Sequence, residues 1–228
     1  MRGNLAEQYN NFAHEYSLGV PTQDMRSNSL FYKTLAGIDL GGKKLLDIGC
    51  GDGTDLMNFQ RMGAVPYGID PSHEFIAIAR DRLPGLQLLV GRGESVPFED
   101  NSFDVIVSKY ALQSSEDVPA ILCEAARLLQ RGGDFIYLSK HPIRQFLEKI
   151  YSNNSKADYF EQQIVDSFIY NRTIQLHEPT HTLAEYLSAE MLKSFDLVNF
   201  IEDYDFPSSE QLGGHTYPTF FIVHFKRR

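Results

Sequence analysis

Residues Lys44 to Leu56 read K-L-L-D-I-G-C-G-D-G-T-D-L. Leu45, Leu46 and Ile48 make a short apolar run without helical spacing, the pattern of a strand buried on both faces. Asp47 interrupts the run just ahead of a glycine turn, an unusual place for a carboxylate. Gly49, Gly51 and Gly53 permit positive φ and close approach of a ligand, after which Thr54 to Met62 resumes a helical pattern that stops at Gly63. The unit is strand, open glycine turn, helix.

The spacing narrows the ligand. A dinucleotide fingerprint is G-x-G-x-x-G, with a pyrophosphate at the helix N-terminus and an acidic ribose partner about 20 residues on. Here the pattern is G-x-G-x-G, and Asp52 lies inside the turn, where its charge would repel a pyrophosphate while suiting the positive end of the helix dipole. Phosphate is therefore disfavoured. Val65 to Ile69 reads as a second strand running into Asp70, whose two oxygens can accept from both hydroxyls of a ribose. A ribose-bearing ligand without phosphates is left.

At this point several spaced motifs resemble a family. Leu46-Asp47-Ile48-Gly49-Cys50-Gly51-Asp52-Gly53 and then Gly68-Ile69-Asp70 look like the first and second motifs of class I S-adenosylmethionine-dependent methyltransferases of the small-molecule, type 11-like kind. Gly91 to Phe98 (G-R-G-E-S-V-P-F) is similar to the segment that frames the adenine, Phe103 to Ser108 to the fourth strand, and Leu128 to Gly133 to the turn before the fifth. The resemblance covers about Lys44 to Ser139. Arg92 stands where the family usually carries an acidic residue, and Arg131 replaces the usual proline before Gly132. The resemblance implies an α/β, Rossmann-like, doubly wound seven-stranded sheet with an antiparallel last strand. It also implies S-adenosylmethionine as cofactor, with S-adenosylhomocysteine as product.

Composition sets outer limits. A chain of 228 residues with 43% hydrophobic content can bury one sizeable core. A single domain is expected, divided into a helical cap (1–40), a cofactor-binding core (41–142), a substrate-roofing insertion after the fifth strand (143–181) and a closing helix and strand hairpin (182–228). The net charge of −9 argues against a nucleic-acid groove, and no basic run precedes Lys226-Arg227-Arg228. The first residues lack the apolar centre of a signal peptide, and no apolar run reaches the length of a membrane span. Two cysteines, Cys50 and Cys123, are too few for a disulfide framework. The expectation is a cytoplasmic monomer or homodimer acting on a small molecule, without a membrane or nucleic-acid partner.

Along the chain, Leu5, Tyr9, Phe12, Ala13 and Tyr16 recur at helical spacing. In the resembling family such a helix often folds over the cofactor as a lid, which assigns Tyr9 to the cofactor and Tyr16 to the substrate. Leu18 to Ser29 reads as a loop, and Leu30 to Ala36 as a second short helix. Ser72 is a good N-cap for a helix bearing Phe75, Ile76, Ala79 and Leu83, and Pro84-Gly85 ends it. Leu86 to Val90 is a third strand leading to the Gly91 to Phe98 loop. There Gly93 permits close approach to a flat base, and Glu94 could accept from an exocyclic amine. Asp117 and Pro119 open a further helix that Gly132-Gly133 closes.

In open α/β sheets, ligands sit outside the carboxyl ends of the strands. The fourth strand delivers Ser108 and Lys109 to the cofactor, and Tyr110 and Gln113 to the acceptor. The fifth strand, Phe135 to Ser139, ends in Lys140-His141-Pro142, which places His141 near the methyl acceptor as the general base, with His14 and His181 behind it. Ile143, Phe146, Leu147 and Ile150 describe an amphipathic helix broken at Ser152 to Ser155. Tyr159 to Leu176 reads as two short strands around Asn171-Arg172. His177-Glu178-Pro179-Thr180-His181 satisfies H-E-x-x-H, but Pro179 prevents the helix that would put both imidazoles on one face, so no metal is expected. His181 is assigned instead to the pocket, ahead of a Leu183 to Phe195 helix. Strands Leu197 to Glu202 and Thr219 to Phe225 close the chain.

The chemistry follows from the implied cofactor. A sulfonium carries an activated methyl group, so in-line displacement mainly needs the acceptor held close and aligned. Asp47 would balance the ammonium of the methionine part, the Gly49-Cys50-Gly51 backbone its carboxylate, and Asp70 with the adjoining Pro71 the ribose. Three readings remain: a small-molecule methyltransferase acting on O or N, a protein or RNA methyltransferase, and a cofactor-binding module without turnover.

Overall fold

The structure is a computed structural model that describes residues 5–19, 25–153, 157–169 and 174–228. The expected N-terminal helix is two pieces: a 3-10 helix, Leu5–Asn11, then α1 (Ala13–Gly19), with a turn at Phe12. The next helix, α2 (Arg26–Leu35), begins within the segment expected as loop, because Ser27, Phe31 and Leu35 bury one face of it. Residues 20–24, the rest of that expected loop, lie outside the described residues.

The core then alternates strand and helix: β1 (Lys44–Ile48), α3 (Thr54–Arg61), β2 (Val65–Asp70), α4 (His73–Arg82), β3 (Gln87–Val90), β4 (Phe103–Lys109), α5 (Val118–Leu128) and β5 (Leu129–Lys140). Ser72 caps α4 by accepting from the Phe75 amide at 3.1 Å, and Asp117 caps α5 by accepting from Ala120 at 3.0 Å. One boundary moves. The α5 helix stops at Leu128, and Gly132-Gly133, expected to close it, lies inside β5. Phe103 pairs with Leu129 and Val105 with Asp134, so the extra residues of β5 bulge out between those two pairs.

The chain continues with α6 (Pro142–Asn153), β6 (Ile164–Ile169), β7 (Ile174–Pro179), α7 (Leu183–Tyr186), α8 (Ala189–Ser194), β8 (Phe195–Asp203) and β9 (Phe220–Arg227). The two strands expected around Asn171-Arg172 form the antiparallel β6/β7 hairpin, whose turn, 170–173, lies outside the described residues. The expected Leu183 to Phe195 helix is divided at Leu187-Ser188. Ser188 starts a new helix there by accepting from the Met191 amide, and Thr182 and Glu185 form a capping box on the first half.

Seven strands lie in the order β3-β2-β1-β4-β5-β9-β8, with β9 antiparallel to both neighbours. This is the expected α/β Rossmann-like sheet with its antiparallel last strand. Alternate residues feed two apolar layers: Leu46, Ile106, Tyr137 and Phe221 pack toward α5 and α7, while Leu45, Val105, Ile136 and Ile222 pack toward α2, α3 and α4. With both faces covered, the carboxyl ends of β1, β2 and β4 are left open for a ligand.

Candidate active site

A cavity of ≈1580 Å³ opens along those strand ends and extends beneath the 3-10 helix and the β6/β7 hairpin. Its floor begins at the glycine turn. Gly49 (φ 84°) and Gly51 (φ 52°) both hold left-handed backbone, but for different reasons. A Cβ on Gly49 would fall 2.1 Å from the Ala111 Cβ, whereas one on Gly51 would meet nothing within 4 Å. Gly49 therefore lets the β4 end pack close, and Gly51 leaves open space above the turn. Cys50 lies between them, buried, and burial pushes its thiol pKa well up.

Asp70 holds the turn in place. Its Oδ2 accepts from the Gly51 amide at 2.9 Å and its Oδ1 from Ser72 at 2.8 Å. Burial nevertheless raises its pKa to about 6, against the pull of those two amides. Asp47, 2% exposed, belongs to the same acidic group, and its Oδ1 is buried with no hydrogen-bond partner among the described residues. Burial, with Asp55 and Asp70 adding repulsion, holds its carboxyl well above the usual range despite Lys109. Asp47 does not itself line the cavity; it sits behind the turn on the α3 side of the sheet. Lys109 does line it, pairing with Asp55 at 2.8 Å and with Asn28 at 2.9 Å, its ammonium 5.5 Å from the Tyr32 ring centroid.

Asp52 changes its meaning. It accepts from the Thr54 amide and hydroxyl and is paired with Arg82, which also donates to the Ser17 carbonyl of α1. With Arg82 on it, Asp52 presents little free charge to a phosphate, so the repulsion expected from the sequence does not operate.

On the side expected to frame an adenine, Pro71, Gly93 and Glu94 line the cavity. Gly93 is small for a reason other than the one expected: a Cβ there would lie 2.6 Å from Ile48 Cγ2, so it serves packing against β1. Arg92 pairs with Glu94 at 2.9 Å and Ser115 donates to the same carboxylate at 2.6 Å. Burial raises the Glu94 pKa, but these two bonds outweigh it and hold the group low and ionised. Arg92, the departure from the family pattern, is thus the partner of Glu94.

The residues expected to form a lid lie along the cavity. Leu5, Tyr9, Phe12 and Tyr16 all line the cavity, and the Tyr9 hydroxyl bonds Ser114 at 2.6 Å. Burial pushes the Tyr16 phenol up to about 12. Tyr110, with φ 54°, turns its hydroxyl to Asp205 at 3.1 Å, while Gln113 is tied to the Tyr110 carbonyl and to Ser139. Both face the cavity.

Besides Asp47, three expected site residues are placed elsewhere. Ser108 is buried inside the sheet, donating to the Ile48 carbonyl at 2.7 Å. His141, expected as the base, is buried outside the cavity lining. Its Nδ1 accepts from the Ile143 amide at 3.0 Å and its Nε2 donates to Glu202 at 2.6 Å, so neither nitrogen is open to an acceptor. The cause is local: His141 follows the last strand residue and its ring turns under the first turn of α6, against Phe221. Burial lowers its pKa although Glu202 raises it. His181 is also buried and absent from the lining, its Nδ1 on Glu185 at 3.0 Å and its ring against Tyr186. Of the fallback bases, His14 is exposed beside Glu74. In H-E-x-x-H, His177 and Glu178 lie on strand β7 and point to opposite faces, His177 outward to Asp166 at 2.9 Å and Glu178 inward.

The sequence reading passed over Lys140, Arg144, Glu148, Glu178 and Ser114, all of which line the cavity. The i, i+4 spacing of Arg144 and Glu148 was the only local signal, and it reads equally well as a solvated helix face.

Known proteins agree with this geometry. The Methyltransferase domain family matches residues 46–137. A demethylmenaquinone methyltransferase of Tropheryma whipplei is 35% identical over 112 residues, 48% of this chain and 47% of that protein. A phthiotriol/phenolphthiotriol dimycocerosates methyltransferase of Mycobacterium tuberculosis is 35% identical over 118 residues, 50% of this chain and 44% of that protein. The chain thus spans about half the length of the curated relatives it matches. An S-adenosylmethionine-dependent methyltransferase from Mesorhizobium loti shares the fold, with TM-score 0.68, 22% identity, and 86% of this chain and 97% of that one covered. Sheet order and glycine turn thus accompany a match of residues 46–137 to the Methyltransferase domain family, and the fold is that of solved S-adenosylmethionine-dependent methyltransferases.

Proposed function

We propose that the protein moves the methyl group of S-adenosylmethionine to a small-molecule acceptor enclosed in the cavity. The observation that carries the reading is the cavity itself: ≈1580 Å³ continuous from the glycine turn to the charged face of α6 and β7. Single-ligand pockets run to about 1,000 Å³, so this space accommodates cofactor and acceptor together. The relatives named above are by their names methyltransferases of demethylmenaquinone and of phthiotriol dimycocerosates, which favours a small acceptor here over a protein or an RNA.

The residues fit the cofactor. Asp47 Oδ1, buried without a donor, and the acids Asp55 and Asp70 around it make a place for positive charge. An ammonium at the cavity floor would meet Asp55 and Asp70, which line it, with Asp47 acting only at a distance from behind the turn. Gly51 leaves its backbone free of side-chain bulk, and each Asp70 oxygen has a lone pair beyond its amide bond for a ribose hydroxyl. Glu94, held ionised by Arg92, would accept from the exocyclic amine, and Tyr9, Phe12 and Tyr16 would exclude water. When bound, the cofactor supplies a sulfonium-activated methyl carbon. The chain's task is then to bind and align, and Tyr110 and Gln113, rather than His141, face the acceptor.

We read the chain as one such domain, cap, core, roof and closing hairpin. Among the described residues no helix is long and apolar enough to cross a membrane. Both cysteines are free, in keeping with a cytoplasmic monomer or homodimer. Calorimetry with S-adenosylhomocysteine, ATP and NAD tests the cofactor: binding of the first alone supports the reading. Tight binding of a phosphorylated nucleotide in its place overturns it. Methyl transfer from labelled S-adenosylmethionine into the small molecules of a cell extract separates an enzyme from a silent binding module.

A further inference from the structure

Far from the glycine turn, four charged side chains from three elements line one end of the cavity: Lys140 closing β5, Arg144 and Glu148 on α6, and Glu178 on β7. All four lie beyond residues 46–137. The Lys140 ammonium pairs with Glu178 and Ser167 and reaches Glu148 at 3.4 Å, and Glu148 accepts from Arg144 Nε at 3.0 Å. Desolvating four charges costs more than packing apolar groups of the same volume, so such a cluster inside a cavity points to recognition.

Within it the hydrogen-bonding capacity is unevenly used. Lys140 has three partners for three N–H bonds, and the Glu178 oxygens face Lys140 and, at 3.4 Å, Ser114. Arg144 differs. Its side chain is only 18% exposed, yet it donates from Nε alone; neither terminal nitrogen has a hydrogen bond among the described residues. The guanidinium carbon stands over the Phe206 ring, 5.8 Å from its centroid, and the two terminal nitrogens are left for a ligand. Tyr110 and Tyr217, both close enough to feel the Arg144 charge, line the same end.

We propose, resting on the methyltransferase reading above, that the acceptor is a planar aromatic carboxylic acid whose carboxylate takes the two terminal nitrogens of Arg144. A planar fork with two parallel donors matches a two-oxygen anion. A phosphate, with nearly twice the charge, would face Glu148 and Glu178 at once. Phe206, Tyr110 and Tyr217 supply flat apolar walls for the ring. Glu148, bridging Arg144 and Lys140, is a positioning residue that holds the fork in place.

The test uses the full chain saturated with S-adenosylhomocysteine, with 4-hydroxybenzoate and 4-hydroxybenzyl alcohol as probes in calorimetry and thermal shift. The acid is expected to bind about ten-fold tighter than the alcohol or better, the size of one charged hydrogen-bond pair. Arg144→Met should bring the two probes to equal affinity while leaving S-adenosylhomocysteine bound as before. Arg144→Lys, which keeps the charge, should lose most of the preference because a point charge cannot form the fork. Equal affinities in the unaltered protein, binding of neither probe, or a preference that survives Arg144→Met would each overturn the proposal. Failure of S-adenosylhomocysteine to bind at all would instead sink the methyltransferase reading, so the two failures are distinct.

Discussion

Asp70 shows how far a single residue can be argued. Its strand-end position after β2 was legible from an apolar run closing on an acid, and its two backbone amide bonds explain why it stays oriented without a ligand. Its pKa of about 6 lies above the 3.8 of a free aspartate, so ionisation is what burial penalises. Only the ionised form accepts from ribose hydroxyls at both oxygens, hence the proton competes with the cofactor. Affinity for S-adenosylhomocysteine is expected to be constant above pH 7 and to fall below pH 6, approaching about tenfold per pH unit, as calorimetry across that range would show. Asp70→Ala should weaken binding by about 1 to 3 kcal/mol through lost charged hydrogen bonds, and unchanged affinity would refute the ribose assignment. His141 teaches the opposite lesson. A histidine at a strand end looks like a base in one dimension, but the Ile143 amide and Glu202 occupy both nitrogens. His141→Ala should therefore cost about 1 to 3 kcal/mol of stability, leaving the part-buried Ile143 amide without its acceptor, and should leave the pH profile of turnover unmoved.

At the level of elements, the lid matters most. The 3-10 helix is fastened at both ends of the cavity. Asn10 accepts from Ser72 at the start of α4, while the Gln8 side-chain amide both donates to and accepts from the His177 backbone on β7, at 2.9 and 2.8 Å. Gln8 thus clips the cap to the roofing hairpin. Losing two exposed hydrogen bonds, together about 1 kcal/mol at the low end of their usual range, should raise the dissociation rate of S-adenosylhomocysteine from Gln8→Ala roughly fivefold. Stopped-flow release reads this, and an unchanged rate would mean the clip does not gate the cavity. No periodicity in the sequence marks Gln8, because its partner is 169 residues away. The helix boundaries that moved have the same origin. Leu129 left α5 for the sheet once Phe103 could pair with it, and Ser188 broke an otherwise continuous amphipathic stretch by capping a second helix.

For the molecule as a whole, the cavity couples cap, core and roof, so a ligand filling it should be felt in global stability. S-adenosylhomocysteine at a hundred times its dissociation constant is expected to add about 2.7 kcal/mol, or roughly 5 to 10 °C in Tm for a chain of this size. A calorimetric scan showing no shift would contradict binding to the folded state. The sequence by itself determined the parts whose information is local: a two-sided apolar strand, a glycine turn that needs positive φ, an acid closing the next strand, and hence the sheet and its cofactor. The tertiary structure alone decided what lies opposite. It turned His141, Ser108 and His181 into the packed interior and brought Lys140, Arg144, Glu148 and Glu178 from three elements to one wall. The proposed cofactor site is legible because one strand-turn-helix unit carries most of its residues. Acceptor recognition is not, because it depends on distances between side chains that only the folded chain sets.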